Sequence, residues 1–161
     1  MIVYVDSSVV LRVVLGQPDR LPEWEQIEVG VTSALTEVEC LRTLDRRNAR
    51  GLLPTDAYLE RRAVTLDLLS RLQCVELTRS ILARAAAPFP APLGTLDALH
   101  LATALAWRGA QDEDLALSTH DAELAAAARA EGFRVFGVAG APIVPASDPP
   151  RRPRAPAKAR E

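Results

Sequence analysis

No apolar stretch in this 161-residue chain reaches the roughly 18 residues needed to cross a bilayer. No basic segment stands ahead of the apolar run at its N-terminus, as a secretion signal would require. The expectation is a soluble, unexported protein of the cytoplasm, with no membrane partner. There are only two cysteines, Cys40 and Cys74, each inside an apolar-periodic segment and without CxxC spacing. That excludes a disulfide framework and casts both as reduced core residues. Neither GxGxxG nor GxxxxGK followed by Ser or Thr occurs, so nucleotide binding by those phosphate loops is excluded. No internal repeat is present.

What remains is a chain about one domain long, 48% hydrophobic and able to build a core. Its formal net charge of −2 is unevenly spread. From Pro145 to Glu161, Arg151, Arg152, Arg154, Lys158 and Arg160 stand against Asp148 and Glu161, a local +3 that leaves −5 on the preceding 144 residues. Rich in Pro, Ala and Arg with little to bury, this end reads as a disordered or extended tail. The organisation expected is one domain over residues 1–140 and a tail over 141–161.

The first run, Ile2, Val3, Tyr4 and Val5, ends by delivering Asp6 and then Ser7 and Ser8, after which Val9 to Leu15 looks helical. A β-branched apolar run leading straight into a helix is the pattern of a buried parallel strand. Further strands are expected at Val29–Thr32, Cys74–Leu77, Leu115–Ser118 and Phe133–Val138. Helices are expected at Ala34–Arg50, capped by Ser33 and stopped by Gly51, at Pro54–Leu72, at Arg79–Ala87, from the cap Thr95 to Trp107, and at Asp121–Glu131. Alternation of this kind predicts an α/β fold, a five-stranded parallel sheet with helices on both faces joined by right-handed crossovers.

In such sheets the strand ends line the ligand crevice. Asp6 and Asp121 follow strands, Asp97 lies in the first turn of its helix, and Glu39 lies in the first turns of the helix after the second strand. Gathered together, each carboxylate pair at about 4 Å repels by roughly 4 kcal/mol at an effective dielectric of 20. Such a cluster calls for cations, and hard oxygen donors without Cys or paired His favour Mg²⁺ or Mn²⁺ over Zn²⁺. Plainer roles compete: Asp97 as a residue favoured by the helix dipole, Asp121 as a cap. Glu37 competes with Glu39; at about 100° per residue the two point some 200° apart, and periodicity does not choose between them.

The segments VYVDSS, TSALTEVE, LDALHLATA and LSTHDAEL, taken in order from Met1 to about Val138, resemble the motifs of PIN-domain ribonucleases, most closely the VapC-type toxins of toxin–antitoxin pairs. That resemblance implies a single PIN-like domain, with Asp6, Glu39, Asp97 and Asp121 as catalytic residues holding Mg²⁺ or Mn²⁺ for RNA hydrolysis. Its register selects Glu39 over Glu37. It also implies a supporting hydroxyl from Thr119, a VapB-like antitoxin as partner and a toxin homodimer, and it is silent on the tail and on the RNA target. His100, amid Leu99 and Leu101, reads as a packed helix residue, and His120 as a solvated loop residue.

Arg12 and the series Arg42, Arg46, Arg50 offer phosphate contacts beside these acids, against the plainer role of a solvated helix face. Phosphoaspartate chemistry is disfavoured, since it places a lysine at the phosphoryl group and the single lysine here is Lys158. The alternative to hydrolysis is a silent PIN-like module that binds RNA or protein, against which stand the four filled acid positions.

Overall fold

In the computed structural model, which describes residues 1–18 and 21–138, the chain order is strand and helix in near-strict alternation. β1 (Ile2–Val5) leads into α1 (Ser7–Val14), and a short 3₁₀ turn at Trp24–Gln26 precedes β2 (Val29–Ser33). Next come α2 (Ala34–Ala49), α3 (Thr55–Ser70), β3 (Gln73–Val75) and α4 (Arg79–Ala86). The chain then runs through α5 (Thr95–Gln111), β4 (Leu115–Ser118), α6 (Ala122–Ala130) and β5 (Val135–Phe136). The expected tail and the domain boundary at 140 lie outside the described residues.

All pairings are parallel and the strand order is β3-β2-β1-β4-β5. β1 is central: Tyr4 pairs with Val31 of β2 and Leu117 of β4, and Val5 with Ser118. Side-chain alternation sends successive residues to opposite faces. Tyr4 and Val31 pack with Leu101, Ala104, Leu124 and Ala128 of α5 and α6, whereas Val5 packs with Val9, Val10, Cys40, Leu44 and Leu69 of α1, α2 and α3. Two cores thus cover the two faces, as the all-apolar strands predict. Removing a leucine from either, Leu44→Ala or Leu101→Ala, costs about 2–5 kcal/mol.

The departures from the sequence expectation are local. Cys74 is exposed, because β3 is a short edge strand rather than a core strand. Gly94, not Thr95, occupies the cap of α5, and that helix carries Gly109 inside it and leaves only at Asp112, whose φ is 54°. β5 is two residues long, since the chain from Phe133 packs its ring into the core before pairing begins.

Candidate metal centre

Asp6 is where the central strand hands over to its helix. Its backbone N–H still donates to Ser118 O at 3.1 Å, as if the strand continued, while its side chain caps α1 by accepting from the Ser8 N–H at 3.3 Å. The same oxygen, Oδ2, accepts from the Ser8 hydroxyl at 2.5 Å and from the Thr119 hydroxyl at 2.9 Å. Three donors therefore fix one carboxylate oxygen of a residue only 4% exposed. The other oxygen, Oδ1, lies 3.4 Å from Nε2 of His100.

His100 is the residue that sequence reasoning undervalued. It is packed, at 1% exposure, yet it is also part of the acid cluster: Nε2 is 2.6 Å from Oε2 of Glu39, and Nδ1 is 2.8 Å from the Tyr4 hydroxyl. The signal was present in the spacing. Asp97, His100, Leu101 and Ala104 fall at i, i+3, i+4 and i+7, so the face of α5 that carries the acid carries the imidazole too. Tyr4 and Asp6 likewise share one side of β1. Ligand atoms of Asp6, Glu39 and His100 all lie within 4.8 Å of one another. Glu37 is exposed and lines a separate shallow groove with Thr32, Ser33 and Leu66.

Asp97 and Asp121 come from the starts of α5 and α6. Asp97 sits in the first turn of α5, its Oδ2 close over Gly94, where a Cβ would come to 3.2 Å. Partial burial pushes its carboxyl up to about 6, and the negative charges of Asp121, Asp6 and Glu39 add to the rise while His100 opposes it. Asp121 is exposed and caps α6, with Oδ1 accepting from the N–H groups of Glu123 and Leu124 at 2.8 and 2.9 Å. Asp121 thus caps α6 and also acts through its charge on Asp97, while the close group among the described residues is Asp6, Glu39 and His100. Thr119 joins the halves, since its hydroxyl donates to Asp6 and accepts from the Asp121 N–H at 3.0 Å.

His120 is half-buried rather than solvated: its N–H donates to the Ser8 hydroxyl at 2.9 Å and its ring nitrogen Nδ1 lies 2.5 Å from Gly137 O. The cations stand elsewhere. Arg42 pairs with Asp45 at 2.8 Å on the exposed face of α2, Arg46 donates to the Thr43 hydroxyl, and Arg12 reaches Pro18 O at 3.4 Å. Among the described residues no arginine forms an ion pair with Asp6, Glu39, Asp97 or Asp121.

Among the described residues the acids are thus crowded with no arginine or lysine paired to them, and the basic group in their midst is the His100 imidazole. For His100, burial lowers the pKa, but the hydrogen bond to Glu39 and the charges of Asp6, Glu39 and Asp97 outweigh it and leave a net rise. Burial raises Tyr4 well above the ordinary phenol range and Cys40 to about 12, with the neighbouring carboxylates adding to both. At His100 the negative charges outweigh burial and at Asp97 they add to it, and it is this field of carboxylates that favours added positive charge. The hard carboxylate oxygens of this group suit a hard divalent cation.

Comparison with known proteins bears on the family and the fold. Residues 3–130 match the family model of the PIN domain. Ribonuclease VapC47 of Mycobacterium tuberculosis (strain CDC 1551 / Oshkosh) is 29% identical over 138 residues, covering 81% of this chain and 93% of that protein. A toxin–antitoxin complex from Klebsiella pneumoniae superposes with a TM-score of 0.57 at 19% identity, over 76% of this chain and 90% of that one. VapBC-1 from nontypeable Haemophilus influenzae gives 0.55 at 15% identity, over 84% and 96%. At these identities the structural likeness speaks for the fold.

Proposed function

The chain belongs to the PIN-domain family, and on that premise we propose that it is a divalent-metal-dependent endoribonuclease serving as the toxin of a VapBC-type pair. The observation that carries the proposal is the acid group at the strand ends, with ligand atoms of Asp6, Glu39 and His100 within 4.8 Å of one another and Asp97 pushed up to about 6 by partial burial and by the charges of Asp121 and Asp6. The curated relative's name, a VapC ribonuclease, supports the same reading.

In this reading Asp6, Glu39, Asp97 and Asp121 hold Mg²⁺ or Mn²⁺. Bound there, the metal supplies Lewis acidity toward a scissile phosphate and lowers the pKa of water for in-line attack. The protein's part is to fix the donors. Ser8 and Thr119 lock Oδ2 of Asp6, leaving Oδ1 turned toward the site, and the α6 cap occupies Oδ1 of Asp121 while Oδ2 stays available. Cleavage leaves a 5′-phosphate and a 3′-hydroxyl. Arg12 and Arg42 are the candidates for backbone phosphate contact; Arg42 must exchange Asp45 for RNA to do so, an exposed pair worth at most about 1 kcal/mol.

A VapB-like antitoxin, a toxin homodimer and a cytoplasmic setting complete the proposal. No helix among the described residues is long and apolar enough to cross a membrane. The test is incubation of the purified full chain with a structured RNA and Mn²⁺. Cleavage that EDTA stops and Asp6→Asn abolishes supports the reading; wild-type cleavage unchanged in EDTA sinks it.

A further inference from the structure

Two buried polar side chains stand behind the carboxylates and have no role in the mechanism above. Tyr4 is fully buried and His100 nearly so, and a hydroxyl or imidazole placed in an apolar interior is retained only where it is hydrogen-bonded. Their contacts form one chain: Tyr4 hydroxyl to Nδ1 of His100 at 2.8 Å, Nε2 to Oε2 of Glu39 at 2.6 Å, and Nε2 to Oδ1 of Asp6 at 3.4 Å. The rings meet edge-on, 72° apart with centroids separated by 6.0 Å, so the phenol meets the imidazole through its hydroxyl rather than by stacking.

The proton positions follow from the chemistry of the partners. An ionised carboxylate only accepts, so the contact to Glu39 needs the hydrogen on Nε2. A neutral imidazole has one N–H; with it on Nε2, Nδ1 is an acceptor and the Tyr4 hydroxyl is its donor. A charged ring donates from both nitrogens, Tyr4 accepts, and the bond to Glu39 is unchanged. Either way the same N–H faces the acids.

The placement of the pair gives it a mechanical role. Tyr4 belongs to the core between the sheet and α5, while Glu39 sits on α2 beside Cys40 and Leu44 of the opposite core. His100 therefore ties the two helical layers together across the C-terminal end of β1. Without it, Glu39 is a largely buried side chain on one layer, 18% exposed and repelled by the buried Asp6.

We propose that Tyr4 and His100 form a positioning pair, in which the Tyr4 hydroxyl keeps the imidazole presenting its Nε2–H and the imidazole holds Glu39 beside Asp6 in readiness for a divalent cation. The inference rests on the metal-nuclease reading and extends it to the groups that orient the ligands. Hydrogen-bond partners of this kind change metal affinity by about 10–100-fold when removed. Neither residue touches substrate.

The test uses the full chain as wild type, Tyr4→Phe, His100→Gln and His100→Leu, with melting in EDTA as the check on folding. Mn²⁺ affinity is read from the electron paramagnetic resonance signal of free Mn²⁺, and the ring tautomer from its ¹⁵N shifts. The expected result is an Nε2-protonated ring in the neutral wild type and about ten- to a hundred-fold weaker Mn²⁺ binding in folded Tyr4→Phe. His100→Gln, which keeps an N–H donor, is expected to bind more tightly than His100→Leu. Should His100→Leu not fold, Tyr4→Phe carries the test, since it keeps the shape of the core. Folded Tyr4→Phe with wild-type Mn²⁺ affinity, or a neutral ring protonated on Nδ1, overturns the pair while leaving the nuclease reading standing. A cooperatively melting wild type that binds no Mn²⁺ overturns the nuclease reading itself.

Discussion

The Thr119 hydroxyl donates to Oδ2 of Asp6 at 2.9 Å, joining residues 113 positions apart in sequence. It does so because β4 lies next to β1, with Ser118 opposite Val5, so both strands end at the same level. The Thr119 hydroxyl oxygen in turn accepts from the Asp121 N–H, so one fully buried hydroxyl couples two acids.

Thr119→Val keeps the shape and deletes both bonds. A hydrogen bond to a charged group is worth about 1.5–3 kcal/mol, and a loss of that size lowers the melting temperature of the metal-free chain by several degrees. Mn²⁺ binding and RNA cleavage are expected to weaken with it, whereas Thr119→Ser retains both. Melting and Mn²⁺ titration of the two variants check this. Loss in Ser with wild-type behaviour in Val would point to the methyl group rather than the hydroxyl.

Much of this arrangement was legible in advance. The strand–helix alternation follows from short β-branched runs broken by Gly and Pro, and the positions of Asp6, Asp97 and Asp121 follow from it, because each acid closes a strand or opens a helix. Glu39 and Glu37 were not separable by periodicity, since α2 buries only Thr36, Cys40 and Leu44 and leaves both glutamates near the boundary of that stripe. His100 reads as a packed helix residue, and packed it is; its spacing from Asp97 puts it on the face of the acid, whereas its contacts with Glu39 and Asp6 come from elements that only the fold brings together. Cys74 was misplaced for a related reason: hydrophobic pattern marks a strand but not whether it lies at the sheet's edge.

Stability without metal should rise on mild acidification. The Asp97 carboxyl is shifted from 3.8 up to about 6 by partial burial and by Asp121 and Asp6, so the folded chain holds that proton more tightly than the unfolded one. This group's destabilising contribution is present in full above about 6 and is relieved as the pH falls toward 3.8. His100 is shifted up against the effect of its burial by its bond to Glu39 and the surrounding carboxylates; its contribution is present below 6.5 and lost as pH rises through the folded value. Both signs agree. In EDTA the melting temperature is expected to be higher at pH 5.5 than at pH 8, and Mn²⁺, competing with the same protons, to bind more weakly at pH 5.5. A metal-free chain that is most stable at pH 8 would contradict the electrostatic account.

Asp97→Asn separates metal chemistry from folding. Removing the charge relieves the cost of its partial burial and the repulsion by Asp121 and Asp6, so the variant in EDTA should melt at or slightly above the wild type at pH 7.5, with the difference shrinking as the pH falls from about 6 toward 3.8. With saturating Mn²⁺ the order should reverse, because only a chain that binds the ion gains from it. Cleavage is expected to be abolished. Full activity in Asp97→Asn would remove this residue from the site.

The sequence from Pro145 onward lacks apolar periodicity, and deleting it is expected to leave catalysis intact and to move the melting temperature by no more than a degree or two, the scale of a surface change of about 0.5 kcal/mol. A large fall would show that these residues pack on the domain. Weaker RNA binding at unchanged stability would instead assign the arginines there an electrostatic role.

The helical pair α2–α3 presents more apolar surface than the fold uses. Leu53 and Leu69 are buried and Leu68 packs against the same core, but Leu52 and Leu59 are 63% and 59% exposed, and Val64 and Leu66 are 45% and 40% exposed. Leucines and valines exposed this far on one helical hairpin mark a contact surface, which under the toxin reading belongs to the antitoxin. Leu59→Ser and Leu52→Ser are expected to leave melting within about 0.5 kcal/mol of wild type and cleavage unchanged. They should also reduce the yield of the soluble, inactive complex formed on co-expression with the neighbouring open reading frame. The isolated wild type is expected to self-associate, and light scattering gives the check: a well-behaved monomer at high concentration, or undiminished complex with both serine variants, would place the partner surface elsewhere on the molecule.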